Sequence, residues 1–151
     1  MDIARILFAT DFSPRASATV EATRTLAERF GAAVDVLHVI DPPANGELPW
    51  KAVGPDGKPV DRIHFLRRIA DLNLDMIAAD LRIGCVNVHC RCEEGSAWRV
   101  ITQIAEREHY DLIVLSTHGR RGFDRLMGSV AEKVVQHASC PVLVVRSEPN
   151  A

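Results

Sequence analysis

The 151-residue chain has no apolar run of membrane-spanning length. Its opening, MDIARILFATDF, places an acid at position 2 and confines the apolar run to residues 6–9, which is not the layout of a secretory signal. Neither sign of charge dominates. Lys and Arg total 18 against 20 Asp and Glu, for a formal net charge of −2, which excludes the basic footprint of a general nucleic-acid binder. Cysteine is scarce and unpatterned: Cys85, Cys90, Cys92 and Cys140 make neither a C-x-x-C pair nor a disulfide framework. They read as reduced thiols, and the chain reads as cytoplasmic, without a membrane or nucleic-acid partner. There is no G-x-x-x-x-G-K-[ST] loop, no internal repeat and no low-complexity tract.

Composition is otherwise ordinary, with 47% hydrophobic and 25% charged residues. This length predicts one domain, residues 1–151, with its own core and no need of a metal or disulfide staple. Short apolar runs alternate with longer amphipathic segments, the signature of a parallel sheet with crossover helices. The predicted strands are RILFA (5–9), VDVLHVI (34–40), VNVHCRC (86–92), DLIVL (111–115) and PVLVV (141–145). The first helix follows Ser13, a candidate cap, and Pro14; it ends at Gly31, with Ala16, Val20, Ala27 and Phe30 on one face. The second spans about 61–82, with Phe65, Ile69, Leu72 and Met76 as its apolar stripe, and stops at Gly84. Ser96 caps the third. The fourth runs from Ser129 to about Ala138. Residues 41–61 hold five prolines and three glycines and read as one long loop, a candidate lid.

The third strand alternates Val86, Val88, Cys90 and Cys92 with Asn87, His89 and Arg91, which suits a sheet edge. The second is apolar on both faces apart from Asp35 and His38, which suits the interior. The fold class is therefore α/β: a Rossmann-like open parallel five-stranded sheet, order 3-2-1-4-5, with helices on both faces. In that order the first and fourth strands are central neighbours, and a ligand crevice opens between their carboxyl ends.

Two segments meet at the crevice. ATDFS follows the first strand and supplies Ala9, Thr10 and Asp11, whose carboxylate suits ribose hydroxyls. STHGRRGFDRLMGSV follows the fourth. Its Gly119, Gly122 and Gly128 let backbone N–H groups approach an anion. Arg120, Arg121 and Arg125 add cationic donors. Gly128 and Ser129 open a helix whose amino terminus favours negative charge. The set reads as a mononucleotide site. Each part also has a plain structural reading: Asp11 could cap the first helix in competition with Ser13, and Ser129 with Glu132 forms a capping box.

The stretches ILFATDFS, LHVID, DLIVLSTHGRRG and GSVAEKVVQHASCPVLVV make the chain resemble the universal stress protein family over nearly its whole length. Nucleotide-binding members carry G-x2-G-x9-G-[ST]. The resemblance implies the fold above, stress-response regulation or sensing, and ATP or another adenine nucleotide as ligand, with or without Mg. Asp11 would hold ribose, and Val34 would line the adenine pocket. Gly119, Gly128, Ser129 and the Val130 backbone would hold phosphates, with Ser116, His118, Arg120, Arg121 and Gly122 completing the loop. Here Ser116 replaces the first glycine, and eight residues separate Gly119 from Gly128. These departures widen the expected ligand from ATP to ADP, AMP or a cyclic nucleotide.

No base–nucleophile–acid set follows from spacing, so no catalytic residue is assigned. Slow ATP hydrolysis or autophosphorylation, with Asp11 and Asp41 on Mg²⁺, His118 as base and Ser129 or Thr117 as acceptor, is an alternative, as is a nucleotide-free scaffold. His89, Cys90 and Cys92 cannot all face one ion from one strand, which argues against zinc. The last strand, from Pro141 to Val145, is an uncharged edge. Self-pairing across a two-fold axis would cover it, and the resemblance also implies such a homodimer.

Overall fold

The computed structural model describes residues 1–13, 16–42, 52–84, 87–117 and 127–146. Eleven elements follow in chain order: β1 (Arg5–Ala9), α1 (Ala16–Phe30), β2 (Ala33–Ile40), β3 (Ala52–Val53), β4 (Pro59–Val60), α2 (Arg62–Arg82), β5 (Val88–Glu94), α3 (Ala97–Arg107), β6 (Leu112–Ser116), α4 (Ser129–His137) and β7 (Val142–Val145). The main sheet is parallel, in the order β5-β2-β1-β6-β7. Counting only its own strands, this is the expected 3-2-1-4-5. β3 and β4 form a small antiparallel hairpin inside the segment read as one long loop. Gly57 turns the hairpin at φ 77, a backbone that side chains resist. Leu48 and Trp50, candidate lid residues, lie outside the described residues.

Alternation along the strands splits the core into two layers. Ile6, Phe8, Val34, Val36 and Val114 face α1 and α2, where they meet Val20, Ala27, Leu74, Ala78 and Leu81. Leu7, Ala9, Leu37, Ile113 and Leu115 face α3 and α4, against Ile101, Ile104, Ala105, Ala131 and Val134. Leu143 and Val145 of β7 pack on the first layer, Val142 and Val144 on the second.

Several local expectations are corrected. Ser13 does not cap α1: its hydroxyl is buried without a hydrogen-bond partner. The cap of α4 is Gly128, and Ser129 is already helical, so the capping box is out of phase. Phe30, predicted inward, is 47% exposed. The largest departure is α2. Its buried face is Ala70, Leu74, Ala78 and Leu81. Leu72 and Met76, placed in the core by periodicity, are 68% and 70% exposed. Two apolar stripes run along this helix, and the sheet took the one with the smaller side chains, because two alanines let the helix approach closely.

A polar network closes the amino end of the sheet on the α3 side. Asp35 of β2 is buried and accepts a hydrogen bond from the Tyr110 hydroxyl. Arg5 reaches the same carboxylate at 3.3 Å, stacks over the Tyr110 ring at 4.3 Å and donates to the Glu108 carbonyl at 2.5 Å. Arg91 of β5 holds the Glu108 carboxylate at 2.6 Å. Asp111 accepts the backbone N–H groups of Ala4 and Arg5, both at 2.9 Å. Charges buried here are thus paired, which makes their desolvation tolerable.

Burial, then the Asp35 hydrogen bond and charge, push the Tyr110 phenol up to about 12. The folded state therefore holds this proton more tightly than the unfolded chain. Its contribution is intact below about pH 10, the ordinary phenol value, and is lost as the pH rises towards 12. Tyr110 is the only tyrosine, so its phenolate absorbance reads this site alone. The titration midpoint is expected near 12 in the folded protein and near 10 in denaturant. A folded midpoint near 10 would mean that the phenol does not sit against Asp35.

Candidate functional site

β1 is the point at which the sheet order reverses. It pairs with β2 on one side and β6 on the other, with Phe8 beside Val36 and Val114. Continuing that register brings the turn after β1 next to the exit from β6. Thr10 extends the β1–β2 ladder by donating its N–H to the Leu37 carbonyl at 2.9 Å. The chain then reverses tightly. The Thr10 hydroxyl accepts the Phe12 N–H at 3.1 Å, and Asp11 Oδ1 accepts the Ser13 N–H at 3.0 Å. These side-chain turns hold Phe12 at φ 58, a left-handed backbone uncommon for a bulky residue.

The strain at Phe12 is offset from β2. The Phe12 ring stacks on His38 with centroids 4.2 Å apart. His38 Nδ1 lies 2.9 Å from the Thr10 carbonyl, which can only accept, so Nδ1 carries the proton. Sequence reading named neither Phe12 nor His38 as site residues. The only signal was that His38 is a polar interruption in an otherwise apolar strand. Asp11 is half-exposed, while Thr10 and Ala9 line the floor of the turn.

On the other side, Thr117 leaves β6 and donates its N–H to the Val145 carbonyl at 2.9 Å. Its own carbonyl accepts the Gly128 N–H at 2.5 Å. Thr117 and Gly128 are therefore neighbours in space. His118, Gly119, Arg120, Arg121 and Gly122, as well as Arg125, lie outside the described residues. Gly128 is the cap of α4 and has no side chain to occupy the first-turn N–H groups. Ser129 and Val130 follow on the exposed side of that turn. Helix terminus, Ser116 and the Asp11 turn thus share the carboxyl end of the central strand pair.

Val34 does not belong there. It sits at the amino end of β2, paired with Ile6 and Val88, and is fully buried. Parallel pairing sends β2 towards the crevice from Leu37 onward, and Val39, half-buried beside the second core layer, is the valine at that end. Cys90 and Cys92 turn towards α2, with Cys90 Sγ 3.5 Å from the Leu74 carbonyl, and burial pushes both thiols up, which keeps them protonated at neutral pH. Among the described residues no group of three or more His, Cys, Asp or Glu gathers around a metal-sized point.

The sheet, its switch point at β1 and the glycine-opened helix define a Rossmann-like α/β protein. The model of the Universal stress protein family matches residues 3–146, and the chain belongs to that family. It is 30% identical to Universal stress protein MJ0531 of Methanocaldococcus jannaschii, over 94% of this chain and 81% of that protein. It is also 30% identical to Universal stress protein A homolog 1 of Coxiella burnetii, over 96% and 97%. Among solved structures, hypothetical protein MJ0577 superposes with a TM-score of 0.79 at 25% identity, covering 99% of this chain and 100% of that one. A universal stress protein in complex with cAMP gives 0.71 at 17%, covering 98% and 100%. The Archaeoglobus fulgidus protein in complex with dAMP gives 0.67 at 20%, covering 95% and 98%.

The turn after β1 is held by its own side chains, so it carries a separable stability contribution. Asp11→Ala removes the acceptor of the Ser13 N–H and is expected to cost about 1 kcal/mol in urea denaturation, whereas Asp11→Asn keeps an acceptor oxygen and loses less than half of that. Equal losses in both variants would show that the carboxylate charge, not the turn hydrogen bond, is what matters.

Proposed function

We propose that the chain binds an adenine nucleotide in the crevice between the β1 and β6 exits and acts in the cytoplasm as a stress-responsive regulator or sensor. The observation that supports this reading is that strand register brings the Asp11 turn and the glycine-capped start of α4 to the same end of the sheet, at the switch point. The Asp11 carboxylate accepts from ribose hydroxyls. The first-turn N–H groups of α4, at Ser129 and Val130, donate to phosphate. Ala9, Thr10 and Ser116 form the floor, and Val39 rather than Val34 takes the base side. The proteins of the same fold that hold cAMP and dAMP support an adenine ligand. With no acidic cluster among the described residues, Mg²⁺ would travel with the phosphates of ATP rather than bind the protein first. The role proposed is shape change on binding, with turnover at most slow.

Titration calorimetry with ATP, ADP and AMP tests this reading. Asp11→Ala is expected to weaken binding about 10- to 100-fold through lost charged hydrogen bonds. Gly128→Glu sets a carboxylate against the phosphates and is expected to abolish it. No heat with any of the three nucleotides overturns the reading, and so does binding that Gly128→Glu leaves untouched. Tighter binding of AMP than of ATP would locate the effect of the shortened glycine stretch.

The homodimer through β7 is part of the proposal. The Ile113 N–H donates to the Pro141 carbonyl, and the Thr117 N–H donates to the Val145 carbonyl. The polar groups of Val142 and Val144, at alternate positions, therefore point to the open edge. Val144→Pro deletes an outward donor without cutting the β6 ladder. Light scattering is expected to show the particle mass halved by this substitution. An unchanged mass would mean that the β7 edge is not the contact.

A further inference from the structure

The apolar stripe that α2 turns away from the sheet is not random. Phe65, Ile69, Leu72, Met76, Ala79 and Ile83 recur at alternating spacings of four and three residues, the a/d pattern of a coiled-coil seam. Leu72, Met76 and Ile83 are 68%, 70% and 78% exposed, Ile69 is 39% exposed, and Phe65 is half-buried at the end of the stripe. The buried face of the same helix lies on the opposite side, so α2 is apolar on two faces at once. A contiguous exposed stripe of this kind marks an interaction surface.

The flanking charges say what covers it. Asp61, Arg68, Asp75 and Arg82 stand seven residues apart along one border of the seam, alternating in sign. That row is complementary to itself only when reversed. Two copies of α2 packed antiparallel, with Ile69 against Leu72 and Phe65 against Met76, set each Arg68 against the second copy's Asp75 and each Arg82 against its Asp61. A slip of one heptad either way brings Arg against Arg and Asp against Asp. Parallel packing in register sets Asp75 against the second copy's Asp80 and pairs none of the arginines. The central pair is open for this: Arg68 and Asp75 are both exposed. The outer pair also serves its own chain, with Arg82 reaching the Val88 carbonyl at 3.3 Å and Asp61 capping α2.

We propose that α2 is a second self-association surface, pairing antiparallel with α2 of another copy about a two-fold axis that passes between Ile69 and Leu72. The surface is distinct from the β7 edge. α2 packs over β2 and β5, at the far side of the sheet from β7. Used together, two different two-fold contacts on one chain build dimers into tetramers or longer assemblies.

Sedimentation of the full chain over a concentration series tests the proposal. Leu72→Asp with Met76→Asp changes only exposed positions, and is expected to halve the limiting mass while leaving the circular dichroism spectrum unchanged. Arg68→Asp alone is expected to weaken association about 10-fold or more, and Arg68→Asp with Asp75→Arg to restore it to within about threefold. The two contacts are separable. If the β7 contact fails, the wild type is a dimer that Leu72→Asp with Met76→Asp makes monomeric and Val144→Pro leaves intact. If both hold, each variant reduces a larger particle to a dimer. An association unaffected by the double aspartate variant, or a charge swap that fails to rescue, overturns the proposal. So does a wild-type monomer whose stripe is instead needed to bind neutral phospholipid vesicles, which would assign the face to a membrane surface.

Discussion

β1 has a hydrogen-bonded neighbour on each edge and a helix layer on each face, and the rest of the molecule is arranged around that fact. Ile6, Leu7 and Phe8 have essentially no contact with solvent, so the strand must lie at the centre of the sheet. The chain then leaves β1 for β2 on one side and returns beside it as β6 on the other. Crossovers of one hand place α1 and α2 over one face and α3 and α4 over the other. Where the two directions part, the turn after β1 and the exit from β6 reach the same end of the sheet, the place of the proposed crevice. Its polar lining follows from the same constraint, because backbone emerging from a fully buried strand must find hydrogen-bond partners at once. Thr10, Asp11 and Thr117 provide or accept them.

The two ends of the sheet solve opposite problems. At the amino end, Asp35, Tyr110, Arg5, Glu108 and Arg91 satisfy one another and leave little for a ligand. Such a network fixes how β1, β2, β5 and the α3–β6 corner fit together. At the carboxyl end, the side-chain bonds of Thr10 and Asp11 are local, each closing a turn rather than joining strands. α4 begins at a glycine without a capping side chain, and Phe12 is kept in a left-handed conformation by its stack on His38. Rigid polar pairing at one end lets the other carry a strained turn and a helix that begins at glycine without loosening the fold.

α2 shows how one helix can satisfy two partners. Its alanine-rich face packs on the sheet, and its larger side chains lie outside. An isolated domain gains nothing from exposing Leu72 and Met76. A border of charges that matches only its own reverse gives that exposure a use in assembly. The proposed nucleotide crevice, the β7 edge and the α2 seam occupy different parts of the surface, so the ligand site and the two association surfaces proposed do not compete for the same residues.

Much of this was written in the sequence, because strands buried on both faces and helices buried on one leave strong periodic signals. The strand order could be inferred from which strands are apolar throughout and which alternate, and that order already put the Asp11 and Gly128 segments at one end of the sheet. What the sequence could not decide was the choice between equivalent local options. Periodicity marked the Phe65, Ile69, Leu72 and Met76 stripe as core, yet both stripes of α2 fit a helix equally well, and only docking on the sheet selected Ala70, Leu74, Ala78 and Leu81. Val34 and Val39 are both valines of one strand. Only parallel register placed the first at the closed end of β2 and the second at the open one. Phe12 and His38 are distant in sequence and meet only because β1 and β2 pair. Local pattern determined which segments are strands and helices and which residues carry chemistry; which face is buried, which end is open and which side chains meet were decided by packing, since those depend on neighbours that the chain supplies from elsewhere.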